Sequence, residues 1–110
     1  MTRHLLLVSA DAAEGQDDEF HRWYDQEHLP AVLAVPGFVR AQRFAAVPAT
    51  RGQLPQHRYL AVYEIETDDL PGALAALSAA ARQMHLSPAF DRASSATFAF
   101  TALGAAQEAR

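Results

Sequence analysis

The chain of 110 residues contains no cysteine and no lysine, and these two absences narrow the chemistry it can perform. Without cysteine there are no disulfides, no thiolate nucleophile and no sulfur-ligated metal or cluster. All nine basic residues are arginines, so a lysine Schiff base or lysine-bound pyridoxal phosphate is also excluded. What remains is acid–base chemistry by His, Asp, Glu and Tyr, or ligand binding without reaction.

Strong charge and long apolar runs are also missing. The net charge of -4 offers no basic surface for nucleic acid and no polybasic patch for a membrane. No apolar run approaches the ~20 residues of a membrane span, and the N-terminal LLLVSA indicates a buried strand rather than a signal peptide. We therefore expect one globular domain, residues 1–110, located in the cytoplasm, with no nucleic-acid or membrane partner.

The order of the predicted elements indicates a ferredoxin-like βαββαβ fold of the α+β class. In this fold a four-stranded antiparallel sheet carries two helices on one face and leaves the other face open. A second copy of the chain is the expected cover, which predicts a homodimer through the open sheet face. The strands are predicted at His4–Ser9, Phe38–Val47, His57–Glu66 and Ser95–Leu103, and the helices at Glu19–Val35 and Asp69–Met84.

Most residues with acid–base or binding chemistry lie in the first predicted helix, within the stretch FHRWYDQEH. At ~100° per residue, a helical wheel places Trp23 and Tyr24 on the apolar side together with Glu27, and His28 at its edge. Pro30 has no amide hydrogen to donate, so an interruption of the helix is predicted there.

Glu27 is the unusual member of this set, because a charge on a packing face is costly unless it is paired, protonated or in contact with water. One interpretation is an internal ion pair, for which Arg40 or Arg43 of the next strand could be the partner. The other is a general acid or base with a shifted pKa, acting beside His28 in a pocket.

A metal site is a further interpretation of the same helix. His21, Asp25 and His28 have the i, i+4, i+7 spacing that can place three ligands on one helix face. No matching ligand motif occurs elsewhere in the chain, so we predict no metal site and keep this interpretation as an alternative.

Several aromatic and basic residues are candidates for contact with a ligand. Tyr59 and Tyr63 share one face of the third predicted strand, although core packing would also explain them. His85 follows the second helix, where it could close a pocket or simply be solvated. With Trp23 and Arg43, these residues form the predicted substrate-binding set.

The stretch EFHRWYDQEHLPAVLAVPGFVRAQRF, from Glu19 to Phe44, resembles the signature of the EthD-like group of dimeric α/β-barrel proteins. Members of that group show a Trp-Tyr pair, an acid, a Glu-His before a proline, and a later Pro-Gly-Phe. The resemblance implies two ferredoxin-like subunits packed sheet against sheet, each with a pocket between its sheet and its helices. It also implies that Trp23, Tyr24, Glu27 and His28 are pocket residues.

The wider superfamily includes muconolactone isomerases, stress-responsive barrel proteins, small polyketide cyclases and cofactor-free monooxygenases that form quinones. The resemblance favours a cofactor-independent enzyme of the isomerase or cyclase type, acting on an apolar or aromatic carbonyl compound such as a lactone or polyketide. His28 would move a proton, Glu27 would orient it or act as base, and Tyr24 or Tyr59 would hydrogen-bond a developing enolate oxygen.

Two other functions use the same aromatic pocket. One is a ligand-binding accessory protein that turns nothing over, and the other is a cofactor-free monooxygenase in which Trp23 and His28 face a phenol and oxygen. Haem-degrading relatives hold haem through a histidine, a pattern that the histidines of this chain do not match. We therefore expect no cofactor, and a small apolar or aromatic molecule as ligand.

Overall fold

The structure, a computed structural model, describes residues 1–110. It contains four strands and three α-helical segments, the first two of which are joined by one π-helical turn. The strands are β1 (Arg3–Ala12), β2 (Phe38–Ala45), β3 (Tyr59–Glu66) and β4 (Phe90–Thr101); the helices are α1 (Asp17–Trp23), α2 (Leu29–Leu33) and α3 (Leu70–Ala81), and the π turn is Tyr24–His28.

The four strands form one antiparallel sheet in the order β2-β3-β1-β4, which confirms the predicted ferredoxin-like fold. The long apolar strand β1 is an interior strand between β3 and β4, and of its aliphatic run Leu6 is buried in the core while Leu5 and Leu7 are half-buried. The last strand begins at Phe90, five residues before the predicted start at Ser95. The strand therefore extends into part of HLSPAFDRA, the segment predicted as the connection after the second helix.

The first helix is interrupted by the π turn rather than by a break at Pro30 itself. The Leu29 amide donates to the carbonyl oxygen of Tyr24, five residues back, as in a π-helix. Pro30 then stands in the first turn of α2, where its missing amide hydrogen costs little. The extra residue in the turn changes the helical phase, so His28 rather than Glu27 follows Tyr24 on the inner face.

The hydrophobic core lies between the helices and one face of the sheet. Its largest fully buried side chains are two from the first helix, Phe20 and Trp23, and two from β3, Tyr63 and Ile65. Phe20 contacts Tyr24 edge to face, with ring centroids 5.4 Å apart. These aromatic contacts fix the rotation of α1 and the π turn over the sheet.

The opposite face of the sheet carries no helix and is largely apolar, with Arg3 and Arg40 paired to Glu64 at one end. Phe98 pairs in register with Leu7, Phe100 with Leu5, and Phe44 with Leu60. The three phenylalanine side chains are between 45% and 61% exposed. We call this surface, formed by Leu5, Leu7, Phe44, Leu60, Val62, Phe98 and Phe100, the open face. No helix of the chain has the length and apolar character needed to cross a membrane.

Candidate functional site

A cavity of about 640 Å³ lies between the sheet and the helices. Eleven of the 15 residues that line it are hydrophobic, and none is acidic. Such a largely apolar cavity with a few polar groups is typical of small-molecule sites. The lining residues are Leu6, Val8, Tyr24, His28, Val32, Tyr63, Leu77, Ala81, Met84, Leu86, Phe90, Arg92, Ala93, Ser95 and Thr97.

His28 is the only histidine that lines the cavity. Its ring stacks on Trp23 at a centroid distance of 4.7 Å and meets the edge of Tyr24 at 5.1 Å. Its Nδ1 atom is buried and has no hydrogen-bond partner in the chain. Burial lowers the pKa of His28 below its ordinary value of 6.5, because the apolar surroundings disfavour the charged form. Burial therefore favours the neutral form of the His28 imidazole, and no protein group hydrogen-bonds its Nδ1 atom.

Tyr24 and Tyr63, two largely buried tyrosines, line the same cavity. Burial raises the pKa of Tyr24, and an interaction with Tyr63 partly offsets this rise. Burial also raises the pKa of Tyr63, and the neighbouring Tyr24 raises it further. Both side chains thus keep their protons at neutral pH and can donate hydrogen bonds to a ligand oxygen.

Glu27 does not enter the cavity, which corrects the prediction from the helical wheel. Its carboxylate is 40% exposed and accepts from the Arg22 guanidinium at 2.8 Å. The ion pair is therefore made within the helix and on the surface, and involves neither Arg40 nor Arg43. The wheel failed because it assumed 3.6 residues per turn across the π turn.

Arg43 lies behind Tyr24, outside the main cavity. Its guanidinium carbon is 4.6 Å from the centre of the Tyr24 ring, a cation–π contact. The same guanidinium donates to Asp25 at 3.0 Å and to His21 Nδ1 at 3.0 Å. Arg43 thus supports the cavity wall through Tyr24 and does not line the main cavity itself.

The metal interpretation requires His21, Asp25 and His28 to converge, and the structure separates them. His21 and Asp25 are both bound to Arg43, in a smaller polar cleft of about 400 Å³, whereas His28 faces the main cavity. No group of three His, Cys, Asp or Glu residues is placed to hold a metal ion.

Three other predicted binding residues lie around the cavity rather than on its surface. Trp23 is fully buried behind His28, and its indole nitrogen donates to the carbonyl oxygen of His85 at 2.9 Å. The His85 side chain is exposed and does not close the cavity. Tyr59 lines the polar cleft, where its hydroxyl donates to Asp17 at 2.6 Å.

Sequence analysis missed the part of the cavity that β4 provides. Arg92, Ser95 and Thr97 are its polar members, and Phe90 and Ala93 are apolar. The register between β1 and β4 shifts here, since Ser9 pairs with Ala96 but Asp11 pairs with Asp91 (a β-bulge). The only sequence signal for this segment was a lone arginine among small residues, which fits a loop equally well.

No family model and no curated sequence matches the chain. An EthD-family protein from Bacillus halodurans has a TM-score of 0.58 and 13% identity, covering 90% of this chain and 96% of its own. The chain has the fold of EthD-family proteins.

Two further structures share the fold at similar distance. The haem degrader MhuD from Mycobacterium tuberculosis has a TM-score of 0.58 and 20% identity, covering 94% of this chain and 99% of its own. HapK from Hahella chejuensis has a TM-score of 0.54 and 17% identity, covering 97% and 99%. At these identities the likeness concerns the fold, so the function is argued below from the cavity.

Proposed function

We propose that the cavity is the active site of a cofactor-independent enzyme that moves a proton on a small apolar carbonyl compound. The observation that carries this proposal is the state of His28. It is a neutral imidazole in an apolar cavity, and its buried Nδ1 atom has no partner in the chain. A catalytic base at neutral pH must be unprotonated and must not be engaged by another protein group, and both conditions favour His28.

The proposed reaction is an isomerisation or cyclisation through an enolate. His28 removes a proton from the carbon next to the carbonyl; the electron pair of that C–H bond forms the new C=C bond, and the π pair of the carbonyl moves onto its oxygen. The Tyr24 and Tyr63 hydroxyl groups donate hydrogen bonds to the oxygen as it becomes negative. The imidazolium of His28 then returns the proton to a different carbon, or the enolate carbon attacks a second carbonyl and the proton goes to the new alkoxide.

The candidate catalytic residues are therefore His28, Tyr24 and Tyr63. Glu27 is left out of this set because its carboxylate pairs with Arg22 on the helix surface. Trp23 supports the site by holding the ring of His28 flat against its indole.

Ligand binding without turnover is the second candidate, and one observation favours it. No carboxylate lines the cavity, so no acidic side chain hydrogen-bonds His28 there or stabilises its imidazolium form. Catalytic histidines commonly rely on such a partner. On this hypothesis the same cavity binds an apolar carbonyl compound and releases it unchanged.

Hydrogen exchange separates the two candidates. Aryl butenolides and 2-tetralone are incubated with the protein in D2O, and the loss of the proton next to the carbonyl is followed by NMR. Enzymatic proton transfer predicts exchange that His28→Ala abolishes and Tyr24→Phe slows, while His21→Ala leaves it unchanged. Binding without any catalysed exchange would favour the accessory function.

Haem is the ligand of one structural relative, and it requires its own test. Within this cavity His28 is the one histidine that could ligate an iron atom. Haem binding would give a Soret band shift on addition of hemin, lost in His28→Ala. Exchange activity without such a shift supports the cofactor-independent proposal.

We also propose that the chain forms a homodimer through the open face. Three half-exposed phenylalanines on one sheet face are unusual for a protein surface, and a second copy would bury them. A stable interface of this kind exceeds ~1,000 Å² of total buried surface. Sedimentation velocity at micromolar concentration tests the assembly, and a monomer would contradict it.

A further inference from the structure

Strand β4 changes the direction of its side chains where it crosses the cavity. Phe90 and Arg92 line the cavity, and so do Ala93, Ser95 and Thr97. In a regular strand, residues 92 and 93 point to opposite faces, so both can line one cavity only because the strand is irregular there. The four residues Arg92–Ser95 lie between the Asp91 and Ala96 pairings, opposite the single residue Ala10 of β1.

This bulge is held in place by Ser94, which does not line the cavity. Its hydroxyl accepts from the Asp11 amide at 2.9 Å and donates to the Asp91 carbonyl oxygen at 2.7 Å. Bulges of this kind are used near active sites to redirect a side chain. Here the redirected side chain is that of Arg92.

Arg92 is the only charged residue that lines the cavity. It forms no ion pair, whereas Arg3, Arg22, Arg40, Arg43 and Arg58 each pair with a carboxylate. An unpaired guanidinium beside an apolar cavity is free to bind an anion with two parallel hydrogen bonds. No acidic residue lines the cavity to compete with such a ligand.

We propose that the cavity binds apolar molecules that carry an anionic group, such as a carboxylate, and that Arg92 is the residue that recognises this group. The inference rests on the proposed function, because it describes the substrate of the same cavity. The apolar walls receive the body of the ligand, and the Ser95 and Thr97 hydroxyl groups lie on the same strand to share the anion's hydrogen bonds. The carbonyl group of the ligand then meets Tyr24 and His28, which line the same cavity.

Two fluorescent probes test the proposal, since they differ by one anionic group. 1-Anilinonaphthalene-8-sulfonate carries a sulfonate, and N-phenyl-1-naphthylamine is the same ring system without it. Dissociation constants for both are measured by fluorescence titration with the wild type, Arg92→Gln and Arg51→Gln. Arg51 is a matched control, because it also lacks an ion pair but lies in the β2–β3 connection, away from the cavity. Ala81→Trp serves as a control for binding in the cavity, because it places a large side chain at a lining position in α3.

The expected result is that Arg92→Gln weakens sulfonate binding about tenfold and leaves binding of the neutral probe unchanged. Arg51→Gln should change neither dissociation constant, and Ala81→Trp should weaken both. The inference would be overturned if Arg92→Gln and Arg51→Gln changed the dissociation constant of the sulfonate probe equally. It would also be overturned if Ala81→Trp left the dissociation constants of both probes unchanged.

The outcomes also separate this inference from the proposed function. If both probes bind in the cavity and Arg92→Gln alters neither, the anion inference fails while a ligand-binding cavity stands. If neither probe binds to the wild type, both the inference and the proposed small-molecule site are contradicted.

Discussion

The ring of His28 stacks on the indole of Trp23 at a centroid distance of 4.7 Å, with an angle of 25° between the planes. The two residues are five positions apart, a spacing that a regular α-helix places on different faces. The π turn brings them together, because it closes its hydrogen bonds five residues back. The same turn that disrupts the regular helix therefore directs the His28 imidazole into the cavity. π turns inside α-helices are frequently found at functional sites.

Replacing Trp23 with phenylalanine is expected to destabilise the protein by about 2–4 kcal/mol, because it leaves the His85 carbonyl oxygen without its donor and empties part of the core. Urea denaturation measures this change. His85→Ala is the control, since only the backbone oxygen of His85 takes part in the bond and its side chain is exposed. A His85→Ala variant as unstable as Trp23→Phe would show that the histidine side chain has an additional role.

The pKa of His28 predicts a specific dependence of stability on pH. Burial lowers this pKa in the folded state, so near pH 6.5 the unfolded chain binds the proton more readily than the folded one. The contribution of His28 to the free energy of unfolding should therefore be fully present above pH 6.5. It should be lost progressively as the pH falls from 6.5 towards the lower pKa of the folded state.

NMR titration of the His28 ring should give a pKa below 6.5, and the stability difference between wild type and His28→Asn should change over the same pH window. The carboxyls of Asp11 and Asp17 also have lowered pKa values, but they titrate at or below 3.8 and do not interfere. A His28 pKa at or above 6.5 would contradict the proposed neutral base.

Changing Glu27 to glutamine is expected to leave exchange activity and probe binding intact. The carboxylate pairs on the surface with Arg22, which keeps a second partner in Glu19. Exposed pairs of this kind contribute little to stability. The melting temperature should therefore change only slightly, and Arg22→Gln should behave in the same way. A loss of exchange activity in Glu27→Gln alone would return Glu27 to the catalytic set.

The fold could be predicted from the sequence, because the hydrophobic periodicity identifies the strands and helices and their order identifies the ferredoxin-like architecture. The apolar run of β1 and the aromatic residues of β3 were each placed within a few residues of their actual bounds. The EthD-like motif predicted the same architecture. These signals are local, and they agree with the tertiary structure wherever the backbone is regular.

The candidate site could be predicted only in part, because two backbone irregularities build it. Tyr24, His28 and Tyr63 were predicted and do line the cavity. Glu27 was misplaced by the π turn, and Arg92 was missed because a β-bulge directs it. Neither irregularity has a reliable signature in the sequence, since each depends on how the segment packs against the sheet.

A charge on the open face should disrupt the proposed dimer. Phe98 is more than half exposed and pairs with Leu7 near the middle of that face, so an arginine there would be buried without a partner on assembly. We expect Phe98→Arg to sediment as a folded monomer with an unchanged far-UV circular dichroism spectrum. Arg40→Ala, a change at the exposed rim, is the control and should remain a dimer.

The last prediction concerns Ser94, which we regard as a positioning residue for Arg92. Ser94→Ala removes both hydrogen bonds that hold the bulge, so Arg92 should lose its fixed direction towards the cavity. The sulfonate probe should then bind more weakly while the neutral probe is unaffected, a change that a purely structural role would not produce. Ser94→Thr keeps the hydroxyl and should restore sulfonate binding. If Ser94→Ala weakens both probes equally, the bulge shapes the whole cavity rather than directing Arg92.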